Sequence, residues 1–183
     1  MKIDELLFEA TETFYHGSSK PIDAFNLDKA GGQDAIDQEG PGIYLTSSIE
    51  DARRYGKFVH TVSVKIVKSR MMPDKRKINA AWVRVIMKRA PESEDTLMNW
   101  GENPSAALSD AVDAIMSSYG PNEYRKAMEQ IWYDFYRGHE KVWFSKLRVA
   151  GWDGFIVNKS DGVRHLICFN LDVLKITGVV DET

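Results

Sequence analysis

The sequence contains one cysteine, Cys168, among its 183 residues. A single cysteine excludes an internal disulfide framework and is typical of proteins that work in a reducing compartment, so we predict a cytoplasmic location. Cys168 lies within the apolar run Leu-Ile-Cys-Phe at residues 166–169. These surroundings predict a buried and unreactive thiol rather than a nucleophile.

Long apolar runs and an excess of positive charge are also missing. No stretch approaches the roughly 18 apolar residues that a membrane-spanning helix needs, so no membrane partner is expected. The first residues alternate charged and apolar side chains, which predicts no secretory signal peptide. The chain has 24 Lys and Arg residues against 27 Asp and Glu, a formal net charge of −3. This balance argues against a broad surface for phosphate backbones, although a local basic patch stays open.

Several common catalytic and metal-binding motifs are absent. The chain has no Gly-x-Ser-x-Gly elbow and no glycine-rich phosphate loop that ends in Lys-Ser or Lys-Thr. Its four histidines and one cysteine show no spacing typical of a zinc site, and we expect no metal. Serine hydrolysis, phosphate-loop chemistry and zinc chemistry are therefore poorly supported.

Apolar periodicity predicts strands at both ends of the chain and helices between them. Residues 58–68 alternate valine and isoleucine with polar side chains, which is typical of a half-buried strand. Apolar side chains recur at helical spacing in residues 78–90, 104–116, 122–137 and 140–149. Strands, then helices, then strands predict an α+β fold with a mostly antiparallel core. The length suits a single domain over residues 1–183, with a mostly helical insertion at 69–149.

The most distinctive stretch is Gly-Pro-Gly-Ile-Tyr-Leu-Thr-Ser-Ser at residues 40–48. It predicts a turn, a short strand and then a helix that Ser47 or Ser48 caps. Tyr44 lies on the strand, and Tyr55 follows the helix eleven positions later. If strand and helix pack side by side, both rings reach one pocket and hold a flat ligand between them. The alternative is a strand–helix corner with two ordinary half-buried tyrosines.

Two further motifs lie on either side of this stretch in the sequence. Phe-Tyr-His-Gly-Ser-Ser at residues 14–19 is an aromatic strand that ends in His16, followed by a glycine. Gly-Trp-Asp-Gly-Phe-Ile-Val at residues 151–157 predicts a turn and a strand, and residues 164–169 return as a hairpin. In this order the three motifs resemble the ADP-ribosyltransferase superfamily. The likeness is to its histidine–tyrosine type, the diphtheria-toxin-like and PARP-like domains and their small phage and polymorphic-toxin versions.

The resemblance covers roughly residues 13–68 and 150–176. It implies a fold of split antiparallel sheets around a cleft for NAD. It also implies a mono-ADP-ribosyltransferase, of the glycosyltransferase class, that uses NAD as a substrate to modify a protein or a nucleic acid. Small domains of this kind are typical of phages and bacterial conflict systems, so the host cytoplasm is the expected location if the chain is phage-encoded.

The resemblance also implies roles for the motif residues. Gly17 offers its backbone to the nicotinamide carboxamide, and His16 donates to a ribose hydroxyl of the adenosine half. Tyr44 and Tyr55 stack on the nicotinamide ring, while Ser47 or Ser48 adds a hydroxyl near the carboxamide. The expected NAD site contains His16, Gly17, Ser18, Gly42, Tyr44, Ser47 and Tyr55, and the expected catalytic residues are His165, Tyr44 and His16.

The third motif departs from the family pattern. The resembled enzymes often carry a glutamate where alignment of the C-terminal strand places His165. A neutral histidine can accept a hydrogen bond or act as a base near neutral pH, but it supplies no permanent negative charge. Asp161 or Asp153 takes that place if the register differs. Two alternatives to a transferase stay open: a protein that binds NAD or ADP-ribose without turnover, and a structural or partner-binding protein.

Overall fold

The computed structural model describes residues 9–30, 41–72, 79–88, 90, 103–119 and 123–181. Its strands are β1 (Glu9–Ser18), β2 (Ile43–Thr46), β3 (Phe58–Val67), β4 (Met71–Met72), β5 (Gly154–Asn158), β6 (Arg164–Cys168) and β7 (Leu174–Asp181). Its helices are α1 (Ile49–Arg53), α2 (Ala80–Lys88), α3 (Pro104–Ser118), α4 (Tyr124–Phe135) and α5 (Glu140–Val149). Strands at both ends of the chain and helices between them confirm the predicted α+β class.

Within the described residues, seven strands form one mixed sheet in the order β4-β5-β6-β2-β1-β3-β7. Neighbouring strands run antiparallel except for β4 and β5, which are parallel. The longest pairing joins β1 to β3, from Glu9 opposite Val67 to Ser18 opposite Phe58. The antiparallel character that the sequence predicts is therefore confirmed for most of the sheet.

One face of the sheet supplies much of the apolar core in this part of the chain. Phe14 and Val62 lie opposite each other on β1 and β3, and Leu45 and Leu166 do so on β2 and β6. No more than 2% of the surface of any of these four residues is exposed. Burial of each such side chain stabilises the fold by about 1.5 to 3 kcal/mol. Successive side chains of a strand point to opposite sides of the sheet. The apolar residues that alternate along β3 are therefore those that point to this buried face.

The sheet has a short junction between β1 and β2. These two strands are joined at one residue pair, Tyr15 opposite Thr46. By contrast, β1 pairs with β3 at ten positions, and β2 pairs with β6 at four. The sheet therefore has two parts, β4-β5-β6-β2 and β1-β3-β7. The predicted split of the sheet lies at this junction, and the two parts remain connected through it.

The chain forms two compact units. One contains the strands, α1 and the part of α5 from Phe144 onward, and the other contains α2, α3, α4 and the start of α5 up to Trp143. In the helical unit, buried apolar side chains recur at the predicted helical spacing, namely Val83, Met87, Ala107, Ala111, Ile131 and Phe135. Tyr136 follows α4, and its hydroxyl donates to the carbonyl oxygen of Ile86 at 2.9 Å. All four helices α2 to α5 lie within residues 69–149, while the single-domain organisation stays a prediction.

A helix that crosses a lipid bilayer needs about 20 consecutive, mostly apolar residues. In the part of the chain that the structure describes, no helix has both the length and the apolar character needed to cross a membrane.

A buried carboxylate fixes the start of β5. Asp153 is fully buried, and its Oδ1 lies 2.6 Å from Nη2 of Arg70 and 2.7 Å from Nδ2 of Asn170. Its backbone N–H donates to the carbonyl oxygen of Arg70 at 2.8 Å, and its carbonyl oxygen accepts from Phe169 and Asn170. One residue thus ties the turn before β4 to the end of β6 through both its side chain and its backbone.

Replacing this carboxylate is expected to destabilise the fold. In Asp153→Ala the buried amide of Asn170 loses its acceptor, so the free energy of unfolding should fall by about 3 kcal/mol. Urea denaturation of wild type and variant measures this difference. Asp161→Ala is the matched control, because Asp161 lies on the exposed hairpin turn and accepts one local bond from the N–H of Val163. A loss in Asp153→Ala that is no larger than the loss in the control would contradict the prediction.

Candidate active site

A cavity opens where β1, β2 and β6 meet α1, with about 410 Å³ of empty space when the solvent at its open mouth is included. The lining side chains with titratable groups are those of Tyr15, His16, Tyr44, Asp51, Tyr55 and His165, and Gly17 lines it as well. Residues from three sequence motifs that are far apart in the chain therefore meet at one opening.

The strands place the site at the junction of the sheet. Tyr15, Thr46 and His165 lie side by side on β1, β2 and β6, because Thr46 pairs with both of the others. Paired residues on neighbouring strands direct their side chains to the same face of a sheet. His165 therefore shares a face with Tyr15 and Thr46, opposite to the face that carries Phe14 and Leu45.

Gly17 allows α1 to lie against β1. A Cβ atom at this position would lie 1.9 Å from the carbonyl oxygen of Ala52 and 3.1 Å from the Cβ of Tyr55. No side chain fits there, so the glycine is required by packing as well as by the cavity it lines. The β1–β2 register contains no pair beyond Tyr15 among the described residues, and the edge of β1 at Gly17 therefore has no strand partner on that side.

The capping of α1 fixes the orientation of its side chains. Ser48 is the N-cap, and its Oγ accepts a hydrogen bond from the backbone N–H of Asp51 at 3.2 Å. This resolves the two predicted caps in favour of Ser48. Tyr55 follows the helix, and its N–H donates to the carbonyl oxygen of Ala52 at 3.0 Å.

His16 is held by its own neighbours. Its Nδ1 donates to the carbonyl oxygen of Tyr44 at 2.8 Å, and Phe25 packs edge-on against the ring, with the centroids 5.2 Å apart. Burial lowers the pKa of His16; the hydrogen bond to Tyr44 opposes this shift, and the neighbouring His60 adds to it. The ring is therefore neutral near pH 7 with its proton on Nδ1.

This protonation state changes the role expected for His16. A neutral imidazole has one N–H, and here that N–H is used on the carbonyl of Tyr44. The lone pair of Nε2 is what the ring can offer to a ligand. A ribose hydroxyl would donate to His16, whereas the resemblance implies that His16 donates.

His60 has a structural role that the sequence does not reveal. It lies opposite His16 on β3 and is fully buried. Its Nε2 accepts from the backbone N–H of Ile22 at 3.0 Å, and its Nδ1 donates to the carbonyl oxygen of His16 at 3.2 Å. It therefore ties the segment after β1 to the strand that carries His16.

Tyr44 and Tyr55 both line the cavity. Tyr44 is half-buried on β2, whereas 63% of Tyr55 is exposed at the end of α1. The strand and the helix therefore bring both tyrosines to one pocket, as the motif requires if they are to hold one ligand. Whether they stack on a nicotinamide ring stays a prediction.

His165 faces a carboxylate that the sequence analysis does not assign to the site. Its Nε2 lies 2.9 Å from Oδ2 of Asp51, and 15% of each side chain is exposed. An acidic residue in the first turn of a helix is already explained by the helix dipole, so the sequence gives no signal for this contact. The two carboxylates considered as alternatives lie elsewhere, Asp161 in the exposed hairpin turn and Asp153 in the buried network.

Three other predicted site residues do not line the cavity. Ser18 donates from its Oγ to the carbonyl oxygen of Lys20 at 2.5 Å. Ser47 accepts from the backbone N–H of Arg164 at 2.9 Å and so fastens the end of β2 to β6. Gly42 is buried, and a Cβ there would lie 2.5 Å from Cγ2 of Ile167, so packing against β6 explains this glycine. Gly40 of the same motif lies outside the described residues.

Metal ions in proteins are held by clusters of His, Cys, Asp or Glu side chains. Among the residues with described positions, no group of three or more His, Cys, Asp or Glu side chains could hold a metal ion. The titratable side chains that line the cavity are two imidazoles, three phenols and the carboxylate of Asp51.

Comparison with known proteins gives one family. A family model described as ADP-ribosyltransferase in polyvalent proteins matches residues 11–177. No curated protein matches the chain. Among solved structures, a crystal structure of an anti-CRISPR protein matches with 13% sequence identity and a TM-score of 0.37, covering 92% of this chain and 93% of that chain.

The protonation of His16 is expected to make stability depend on pH. Because the folded state lowers the pKa of His16 below the ordinary value of 6.5, the unfolded chain binds this proton more readily. The stabilisation is complete above pH 6.5 and is lost as the pH falls toward the folded pKa, by at most about 1.4 kcal/mol per pH unit. Chemical denaturation between pH 8 and 5.5 should therefore show a steeper fall for wild type than for His16→Gln. Parallel curves for the two proteins would show that His16 makes no such contribution.

Proposed function

The chain belongs to the family of ADP-ribosyltransferases in polyvalent proteins, and we propose that it uses NAD to attach a single ADP-ribose to a protein or a nucleic acid. The observation that carries this proposal is the cavity at the sheet junction. His16, Gly17, Tyr44, Tyr55 and His165, which come from three separate sequence motifs, all line it. The binding of NAD and its turnover both require that these residues share one cavity.

The reaction sets clear demands on such a cavity. NAD supplies an activated bond between ribose C1′ and the nicotinamide nitrogen, and positive charge develops on the sugar as this bond breaks. The protein has to hold the nicotinamide, orient the ribose and place negative charge or an acceptor near C1′. We assign the strand edge and the two tyrosines at the cavity to the first two of these demands.

The edge of β1 is the element we assign to NAD binding. At Gly17 this edge has no partner on the β2 side among the described residues, so backbone groups there can pair with a carboxamide. His16, neutral and protonated on Nδ1, offers Nε2 as an acceptor for a ribose hydroxyl. Both groups are rigid, since β1 pairs with β3 along its whole length.

The two tyrosines are the element we assign to the nicotinamide ring. An aromatic face attracts a flat cation, and the effect is worth about 0.5 to 2 kcal/mol, depending on exposure. Tyr55, 63% exposed at the end of α1, has the freedom to close over a ligand, while Tyr44 is held on β2. When nicotinamide leaves as a neutral molecule, this attraction weakens and favours its release.

A histidine, His165, at the third motif position favours a second candidate function. His165 supplies no permanent negative charge, so a protein that binds NAD or ADP-ribose without turnover is the second candidate function. The acceptor, a role in phage or bacterial conflict and a cytoplasmic location belong to the proposal as well. The presence of one cysteine is the observation that supports this location; the thiol of Cys168 is buried within hydrogen-bonding distance of the carbonyl oxygens of Asp153 and Asn170.

Tyrosine variants test the proposed reaction. The purified protein should release nicotinamide from NAD, and Tyr44→Ala and Tyr55→Ala should lower kcat/KM by about tenfold or more, because each removes one face that holds the cation. Chromatography of the released nicotinamide measures the rate. NAD labelled in the adenylate shows which molecules in a lysate receive the ADP-ribose. Tyr133→Ala is the matched control, since 54% of Tyr133 is exposed and it does not line the cavity.

The outcomes separate the two candidate functions. A wild type that NAD stabilises against heat without any release of nicotinamide supports the binding protein. Equal rates for wild type, Tyr44→Ala and Tyr55→Ala would overturn the assignment of the tyrosines to the nicotinamide ring.

A further inference from the structure

Asp51 is the one carboxylate among the described residues that line the cavity. Its Oδ2 lies 2.9 Å from Nε2 of His165, a distance typical of a charge-assisted hydrogen bond. The two residues are 114 positions apart in the chain and meet only through the fold. The contact is therefore a property of the site, and no local helix or turn requirement explains it.

Both partners are held by separate elements. His165 lies on β6, between Thr46 of β2 and Val157 of β5, so two strands fix its backbone. Asp51 lies in the first turn of α1, where Ser48 caps its backbone N–H at 3.2 Å. Only 15% of each side chain is exposed, and water therefore screens their interaction poorly. Little rearrangement is needed to keep the two groups in contact.

The hydrogen bond sets the position of a proton. A carboxylate accepts, so the proton between the two residues belongs to Nε2 of His165. His16 and His60 have the opposite arrangement, because each donates from Nδ1 to a backbone carbonyl. His165 thus differs from its two neighbouring histidines in the nitrogen that keeps its proton. In a neutral ring of this kind Nδ1 is the nitrogen that can take up another proton.

We propose that Asp51 is a positioning residue that makes His165 the proton acceptor of the transfer reaction. This inference rests on the proposed function. Asp51 keeps the proton of His165 on Nε2, fixes the ring and stabilises the imidazolium that forms, as a carboxylate does for a histidine base in other enzymes. The pair also brings negative charge to a cavity in which positive charge develops on the ribose.

The step balances for an acceptor that carries a hydroxyl group. The acceptor oxygen forms a bond to ribose C1′, the bond from C1′ to the nicotinamide nitrogen breaks, and its electron pair stays on the released nicotinamide. The proton of the acceptor passes to Nδ1 of His165. A base is needed when the nucleophile carries a proton that it must lose, as a hydroxyl group does, and water is the simplest such acceptor.

Substitution of Asp51 tests the proposal through the hydrolysis of NAD by water. Asp51→Ala should lower kcat by about 100-fold, the typical share of a positioned base, and change the KM for NAD by less than about threefold. Asp51→Glu keeps a carboxylate on the same helix and should recover at least about tenfold of that loss. Glu50→Ala is the matched control, because Glu50 is the preceding residue of α1 and 73% of its side chain is exposed.

The kinetic outcomes decide whether the carboxylate matters. A fall of kcat in Asp51→Ala that Asp51→Glu partly restores, with Glu50→Ala like wild type, supports the proposal. A kcat within about threefold of wild type in Asp51→Ala overturns it. An equal loss in Glu50→Ala also overturns it, because the effect would then come from the helix and not from the contact with His165.

A second measurement needs neither NAD nor activity. The 15N resonances of the histidine rings show which nitrogen carries the proton, and His165→Gln identifies the signal of His165. In wild type at pH 8.5 His165 should carry its proton on Nε2, opposite to His16 and His60, and in Asp51→Ala the proton should be shared between both nitrogens. If an active wild type has the proton on Nδ1 of His165, the positioning role of Asp51 is overturned and the proposed function is not. If wild type has the proton of His165 on Nε2 but releases no nicotinamide, the proposed function is overturned. The use of Asp51 and His165 as a base is then overturned as well.

Discussion

The single pairing of Tyr15 with Thr46 is the constraint on which the candidate site depends. Because β2 and β1 pair no further among the described residues, the two parts of the sheet stay connected without becoming one continuous surface. Side chains complete the connection on either side of the pair. His16 donates to a carbonyl of β2, and Arg164 of β6 forms an ion pair with Glu12 of β1. The cavity occupies the gap that this arrangement leaves.

Helix α1 turns that gap into a site with defined chemistry. It lies close to β1 because Gly17 has no side chain, and it directs Asp51 toward His165 on β6. A carboxylate from a helix thus meets an imidazole from a strand 114 positions away in the sequence, and both are mostly shielded from water. The five-residue helix Ile49–Arg53 therefore links two features: its close packing against Gly17 and the hydrogen bond between Asp51 and His165.

Much of the fold could be predicted from the sequence, and part of the site could not. The alternation in β3 and the apolar spacing in α2 to α5 are local signals, so they were sufficient to predict these elements. His16, Tyr44, Tyr55 and His165 could be assigned because each belongs to a motif. Asp51 could not, since its position in a first helical turn has a complete local explanation. Conversely, the sequence predicts that Gly42 and Ser47 bind the ligand, because it does not show that both contact β6. Gly42 packs against Ile167, and the hydroxyl of Ser47 accepts from the N–H of Arg164.

The parallel pairing of β4 with β5 has a consequence for the history of the chain. Parallel neighbours require a crossover of about a dozen residues, usually a single helix, and α5 leads directly into β5. The strand order therefore places no demand on the residues between β4 and α5. Their number and sequence can change over evolution while the strands keep their order, so this interval is where related chains can gain, lose or exchange segments with the least disturbance to the cavity.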